Sequence, residues 1–500
     1  MSNFLCIDIG TSSTKIAIVN LEGEVLGSSN QSYQTYYPKP GFVEQNPGEW
    51  WQAVKKGITE VLDQTKIDAS SVACIGVAGQ SWSNVGVRSN GDLTGNTPIW
   101  TDTRSKDICL RYESQIGKDA IFKVSGNPFM PGYQLPKILW LLENVKQKYD
   151  DTWQFMSSNG YINYMFTGVS SLDTSQTYGL HNINQTTLEY DASLSKGFGI
   201  DIEKLPDIYS TTDIVGNVTS SAAEETGLIE GTPVIAGGLD AACSTLGVGV
   251  HKAGMVQEQG GQAGGMSIAL DTVNTHPSLI FSHHVVPGLY LLQGGTVAGG
   301  ASYEWITSIL GTDFKKKQDK KDFFKYLDTL AAGISSGSEG LIFLPYLSGE
   351  RSPIWDPNAK GVFYGLDFSK TKGHIVRAVM EGVAFSLRHN LDVAAEAGVR
   401  VESFRATGGS ANSPLWTQIK ADVTSCYVDV PSSDDATVKG VAMLCGLAVG
   451  AYGNLSDFVN KSIKIKKSYV PQEQTKTDYD NSFKIYKEVY LLLRDLMNKN

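Results

Sequence analysis

Residues 8–15 read Asp8-Ile9-Gly10-Thr11-Ser12-Ser13-Thr14-Lys15, and they stand between two apolar runs, Phe4 to Ile9 and Lys15 to Val19, of the kind strands have. The turn Leu21-Glu22-Gly23-Glu24 leads on to Val25 and Leu26, so the opening predicts an antiparallel meander. In such a hairpin the glycine lets the turn tighten. Successive backbone N–H groups and the hydroxyls of Thr11, Ser12 and Ser13 can grip a phosphate, Lys15 can balance its charge, and Asp8 at the strand end can hold a metal through water. The same octapeptide also fits an ordinary Ser/Thr-rich hairpin turn. Neither G-x-x-x-x-G-K-[ST] nor G-x-G-x-x-G occurs, so a nucleotide would require a different fold from those two motifs.

Beyond the meander, Asn46 precedes Pro47 and Glu49, and Trp50, Val54, Ile58 and Val61 repeat at helical spacing. Val72 to Ala78 reads as a buried strand ending in Gly79-Gln80, Pro136 to Val145 as a helix, and Thr232 to Gly237 as a buried strand running out at Asp240. Alternating strands and helices give an α/β chain. A second glycine-dense stretch, Gly254 to Gly265 followed by Met266 to Leu270, repeats the strand, glycine turn, strand logic of the opening. It places a boundary near 245, with domains 1–245 and 246–500 built on related plans. The tail Lys464 to Asn500, with Tyr486, Tyr490, Leu493 and Leu496 at helical spacing, reads as a terminal helix laid against the surface.

At 500 residues the chain exceeds one ordinary core, which favours two domains around a cleft. The 41 % hydrophobic content and only 19 % charge exclude a disordered or coiled-coil chain. With 42 basic against 52 acidic side chains the net charge is −10, which argues against nucleic acid or an anionic membrane as partner and leaves room for a small anion in a local pocket. Six separated cysteines without a C-x-x-C pair read as buried thiols. The N-terminus lacks a basic leader and no apolar run is long enough to span a bilayer, so a cytoplasmic address is expected.

Two further stretches can carry chemistry. In Gly237-Gly238-Leu239-Asp240-Ala241-Ala242 a buried strand delivers a carboxylate beside two glycines, where open α/β sheets put ligands. Asp240 is there a candidate general base, or a helix N-cap, or both. In Thr407-Gly408-Gly409-Ser410-Ala411-Asn412-Ser413-Pro414 the glycines would let a flat ring lie against backbone before a helix start. A plain strand, turn and helix capped by Asn412 or Ser413 also fits. Gly333-Ile334-Ser335-Ser336-Gly337 matches G-x-S-x-G but sits between a helix and a strand, the reverse of a hydrolase elbow. His283 and His284 would point to opposite strand faces, which disfavours a shared metal.

Together these motifs, in this order, resemble the FGGY carbohydrate kinases of the actin-like ATPase superfamily over nearly the whole chain. Lys137-Ile138-Leu139-Trp140-Leu141-Leu142-Glu143-Asn144 and Gly361-Val362-Phe363-Tyr364-Gly365-Leu366, with His374-Ile375 and Ala378-Val379-Met380-Glu381 downstream, match the family's signatures. The resemblance implies two actin-like ATPase (ribonuclease H-like) domains flanking a central cleft, with ATP and Mg2+ as cofactors. By it Asp8 would hold the metal, and Thr11, Ser12, Ser13 and Lys15 would contact ATP phosphates. Asp240 would be the catalytic base, Gly261 and Gln262 would face the γ-phosphate, and Gly408, Gly409 and Asn412 would lie near adenosine. Closure about a hinge near 245 would exclude water.

The segment Ala78 to Trp82 with Ile99 to Arg104 looks like the sugar-facing edge of the xylulokinases, the family members it most resembles. Gln80, Ser81, Asp102 and Arg104 would meet hydroxyls, and Trp82 or Trp100 would cover an apolar sugar face. A ketopentose such as D-xylulose is the expected substrate, with gluconate or another ketose or polyol as the alternative and a non-metabolic actin-like ATPase as the rival. A homodimer is compatible with this reading. The chain departs from the resemblance at Trp82, where His is usual, at Ala241 in place of Asn, at Gln262-Ala263 in place of Thr-Ser, and at Lys439 in place of a small residue.

Overall fold

Backbone hydrogen bonding joins the opening runs into three antiparallel strands, β1 (Asn3–Ile9), β2 (Ser13–Asn20) and β3 (Val25–Ser32), with Asp8 opposite Lys15. The protein is known from a computed structural model, which describes residues 2–311, 317–432 and 435–499, and side chains throughout these except 317–321. Its chain forms two compact units. One comprises Met1–Ala253, Ala269–Leu291 and Ser433–Ile463; the other comprises Gly254–Ile268, Leu292–Ser432 and Lys464–Asn500.

In the first unit β4 (Val72–Gly79) runs parallel to β1, β5 (Ile214–Asn217) and β6 (Pro233–Ile235) complete the far side, and the order is β3-β2-β1-β4-β6-β5. Phe4, Leu5, Cys6 and Ile7 are fully buried, as a strand covered on both faces requires. The helix Pro47–Thr65 begins where the Asn46 side chain accepts the Gly48 N–H, and it ends at Lys66 in the left-handed region. Its Trp50, Val54, Ile58 and Val61 enter one core with Ile7, Ile16 and Ile18, each buried side chain stabilising by about 1.5–3 kcal/mol.

The return segment supplies helix Ala436–Ala448, which crosses helix Asp240–Gly247 at backbone distance. A Cβ on Gly247 would lie 1.8 Å from the Ala436 carbonyl oxygen, and one on Gly440 would lie 1.9 Å from that of Cys243. Glycine is therefore a packing requirement at both positions. All six cysteines are free and buried, as expected. His283 and His284 each bond a separate backbone carbonyl, of Gln185 and Val250.

The second unit is built on β7 (Val256–Gly260), β8 (Gly264–Leu270), β9 (Tyr290–Thr296), β10 (Ser403–Thr407), β11 (Tyr427–Pro431) and β12 (Ile465–Tyr469), in the order β9-β8-β7-β10-β11-β12. Here β7 and β8 are antiparallel, β10 and β11 follow in parallel, and β12 closes antiparallel. The terminal helix Lys476–Met497 lies against the unit with its other face exposed, as expected, and Tyr486, Tyr490 and, in part, Leu493 of the expected stripe are buried. Tyr479, Phe483, Tyr486 and Tyr490 insert into the core with helices Lys372–Glu396 and Pro414–Thr424, while Leu496 of the expected stripe is exposed. Aromatic rings at 479, 483, 486 and 490 bury more area than the leucines on the neighbouring face, so they set the helix's rotation. Among the described residues no helix is long and apolar enough to cross a membrane.

Candidate active site

The hairpin between β1 and β2 is closed by the Gly10 N–H donating to the Ser13 carbonyl (3.1 Å), with Thr14 Oγ1 donating to the Asp8 carbonyl (3.0 Å). Tyr33, which the sequence did not single out, donates its hydroxyl to the Gly10 carbonyl. Gln45 Nε2 donates to the Thr11 carbonyl (2.6 Å) and Trp100 Nε1 to Thr11 Oγ1 (3.0 Å), so the turn is braced from two sides. Ser12 is exposed, and Ser13 and Lys15 are partly so. Lys15 is ion-paired with Asp435, a residue with φ +67° just before helix Ala436–Ala448. No local sequence signal links positions 420 residues apart.

Asp8 and Asp240 are half-buried. Burial raises the Asp8 carboxyl to about 6 against a hydrogen bond from Thr437 and the charge of Lys15. Burial, then the charge of Asp8, raises Asp240 to about 7. Tyr33 is pushed far up by burial and by the same two carboxylates, so both negative charges converge on this end of the sheet. Asp8 Oδ1 is enclosed and has no hydrogen-bond partner. Asp240 reaches its place because Gly237, at φ +69°, lets the chain pass Val77, where a Cβ would lie 2.0 Å from the carbonyl oxygen. Asp240 is the first residue of its helix and accepts the Ala241 N–H (2.6 Å), but Leu239 occupies the N-cap position and no side chain caps the helix, so the expected cap role is not met.

At the expected sugar edge Gln80 donates to Gln45 Oε1 (2.9 Å) and its own Oε1 is buried without a partner. Ser81 is hydrogen-bonded with Tyr178. Trp82, at φ +55°, packs on Tyr133 (4.1 Å between centroids) and edge-on to Tyr178, while the Lys137 ammonium donates to its carbonyl (2.8 Å).

Asp102 and Arg104, also expected at this edge, are paired with each other. Arg104 forms two-pronged bonds to Asp102 at 2.7–3.0 Å and reaches Glu44 (2.7 Å), and its guanidinium stacks 4.0 Å from the Phe42 ring and 5.0 Å from that of Trp140. Asp102 is fully buried and also accepts the Val43 N–H (2.7 Å). Charge-assisted forks of this kind fill both carboxylate oxygens, so the pair holds residues 42–44 and 102–104 together.

In the second unit the two glycine motifs meet. Gly261, Gln262, Gly409 and Asn412 line one cavity of about 690 Å3, with Tyr303, Phe324, Asp328 and Trp416 as further walls. That volume suits a drug- or nucleotide-sized ligand. Gly408, at φ +80°, passes so close to Gly260 that a Cβ would fall 2.7 Å from its backbone. The N-terminus of helix Gly300–Leu310 holds the turn, the Gly300 N–H donating to Gly261 (2.8 Å) and the Ala301 N–H to Gln262 (3.0 Å). Gln262, a departure from the resemblance, donates its side chain to Glu304 (2.6 Å). Beneath the turn a buried Lys420 donates to Glu258 (2.6 Å) and to Ser410 Oγ (2.6 Å). Glu350, also unmarked by the sequence, accepts from Thr296 and from the Val297 N–H (2.8 Å).

This geometry agrees with what the chain is similar to. Residues 3–247 match the N-terminal domain and residues 270–449 the C-terminal domain of the FGGY family of carbohydrate kinases. A xylulose kinase of Staphylococcus epidermidis is 30 % identical over 98 % of this chain and 97 % of its own. The ligand-bound xylulose kinase of Lactobacillus acidophilus superimposes with a TM-score of 0.92 at 26 % identity, covering 100 % of both chains. The gluconate kinase of the same organism gives 0.91 at 26 % identity, covering 100 % of this chain and 99 % of its own. The chain belongs to the FGGY family of carbohydrate kinases and has that family's two-domain actin-like ATPase fold. It is a sugar kinase.

Proposed function

We propose that the chain transfers the γ-phosphoryl group of ATP to a hydroxyl of a neutral ketopentose, D-xylulose foremost, with Asp240 taking the hydroxyl proton. The sugar oxygen forms the new bond to phosphorus, the bond from phosphorus to the β–γ bridging oxygen breaks, and ADP leaves. Asp240, raised to about 7, holds its charge balance near neutral pH, where a general base is most effective. The first hairpin, through Thr11, Ser12, Ser13 and Lys15, meets phosphate. Gly261, Gln262, Gly408, Gly409 and Asn412 hold the nucleotide in the 690 Å3 cavity, and Gln80, Ser81, Trp82 and Trp100 face the sugar.

The observation that carries the choice of a neutral sugar is the state of Arg104. An anionic sugar acid needs an uncommitted cation, and this guanidinium is already shared by the carboxylates of Asp102 and Glu44. Mg2+ fits the first unit, because Asp8 Oδ1 is enclosed without a partner beside a second carboxylate whose charge it opposes. Asp8 would hold it, and it would neutralise phosphate charge.

The test is ATP consumption with magnesium across D-xylulose, L-xylulose, D-ribulose, L-ribulose, gluconate, glycerol and erythritol. Strong stimulation by one ketopentose supports the reading. Stimulation by gluconate alone overturns it in favour of a sugar-acid kinase.

A further inference from the structure

Away from the nucleotide cavity, the second unit holds another cavity, of about 470 Å3. Its apolar walls are Trp355, Tyr346 and Tyr490, and its polar lining is Lys487, Arg494 and Asp356. Lys487 stands 4.0 Å from Asp392 and Arg494 3.6 Å from Asp495, exposed pairs worth little enough for a phosphate dianion to displace, unlike the buried fork of Arg104. His389 also lines it, and its Nδ1 is enclosed without a hydrogen-bond partner. Burial, and then the charge of Lys487, lower this imidazole to about 4, so near neutral pH it is uncharged. Asp356 is held by the Tyr490 hydroxyl (2.9 Å) and the Asn358 N–H (2.9 Å), fixing an acceptor at the wall. Trp355 sits at φ +48°, a conformation a bulky side chain adopts only where its surroundings impose it and one that concentrates at ligand sites.

The same loop reaches the phosphate turn. Glu350 and Asp356 close it on themselves through a backbone bond of 2.8 Å. At its near end Glu350 binds Thr296 and Val297, and Ser352 accepts the Gly295 N–H. Thr296 in turn packs on Gly264, where a Cβ would lie 2.7 Å from its methyl group. A ligand against Trp355 and Asp356 therefore rests on a continuous chain of contacts that ends at the turn following Gly260.

We propose that this cavity is an effector site for a small phosphorylated sugar, whose phosphate pairs with Lys487 and Arg494, whose ring lies on Trp355 and whose hydroxyl donates to Asp356, and that its occupancy changes the affinity for ATP. Planar guanidinium and ammonium groups bind phosphate dianions, and an aromatic wall accepts the apolar face of a sugar ring. The site takes no part in the transfer reaction.

Calorimetric titration of the full-length protein with hexose and pentose monophosphates, glucose 6-phosphate and ribose 5-phosphate among them, and with inorganic phosphate alone, tests it. At least one phosphosugar is expected to saturate a single site more tightly than inorganic phosphate. The Lys487→Ala, Arg494→Ala double variant, altering two partly exposed side chains, is expected to weaken that binding by about tenfold or more. Asp240→Asn should leave it intact, which separates this cavity from the catalytic one. The same phosphosugar should shift the KM for ATP in the unaltered enzyme and not in the double variant. No saturable binding below about 10 mM, binding no tighter than phosphate, or binding that the double variant keeps overturns the site. An ATP KM that stays constant as the ligand saturates overturns the coupling. The binding measurement needs no turnover, so it stands whatever the substrate proves to be.

Discussion

The sheet of the first unit, β3-β2-β1-β4-β6-β5, and that of the second, β9-β8-β7-β10-β11-β12, share one strand plan, with a hairpin turn of similar length between their first two strands. They differ in how closely a buried carboxylate is paired with a cation. Near the end of β1, Asp8 keeps an unpartnered oxygen, and with Asp240 it is pushed well above the usual carboxylate range. Near the end of β7, Glu258 likewise keeps one oxygen without a partner, but its other oxygen is paired directly with the Lys420 ammonium, which Ser410 shares. A buried charge without compensation is costly, so a fold keeps one only where something else requires it. The first unit carries that cost where our reading puts proton transfer, whereas the second spends its carboxylate on holding a nucleotide turn in shape.

Substitutions can break this contrast from either side. Asp240→Asn should lower turnover by about 10²–10⁴-fold, the range of one general base, while ATP affinity measured by calorimetry stays nearly constant. Near-normal turnover would falsify the assignment. In the second unit, Lys420→Met should cost about 3–5 kcal/mol in urea denaturation because Glu258 is left uncompensated, and adding Glu258→Leu should restore most of it. A single variant as stable as the parent would mean that the pair is dispensable. Gly440→Ala should cost about 1–3 kcal/mol by overpacking the helix crossing in the first unit.

A further effect is on pH dependence. With folded values of about 6 for Asp8 and about 7 for Asp240 against 3.8 ordinarily, the native state binds more protons than the unfolded one between those limits. Stability of metal-free protein should therefore fall as pH rises from about 4 to about 7, and Asp240→Asn should flatten part of that slope in thermal melts. An unchanged slope in the variant would show that Asp240 is ionised in the fold at ordinary carboxylate pH.

Much of this was legible in the sequence wherever a local rule was enough. The meander, the Asn46-Pro47 helix start and the strand running to Asp240 follow from alternation, capping and glycine placement, and each appears in the structure. The two glycine motifs of the second unit could be paired only by resemblance, since parallel pairing of β7 with β10 spans some 150 residues. Local rules failed where partners are remote. Asp102 and Arg104 look like free polar forks until Val43 and Glu44 are brought beside them. Lys15 looks available until Asp435 arrives, and the neighbouring Lys439 has no counterpart that explains it. The expected stripe of the terminal helix holds at Tyr486 and Tyr490 and fails only at Leu496, where the core takes the adjacent Met497 instead.

The return of residues 433–463 to the first unit bears on how the protein is made. Gly76 on β4 has its neighbours Val441 and Cys445 in that segment, so the sheet begun by β1 to β3 cannot be covered until the chain through that segment has been made. At roughly 5–20 residues per second, the roughly 430 residues between the end of β3 and position 463 take about 20–90 s to synthesise. During that interval the nascent chain exposes one face of an apolar sheet. Circular permutants that place 433–463 ahead of β1 would shorten the wait.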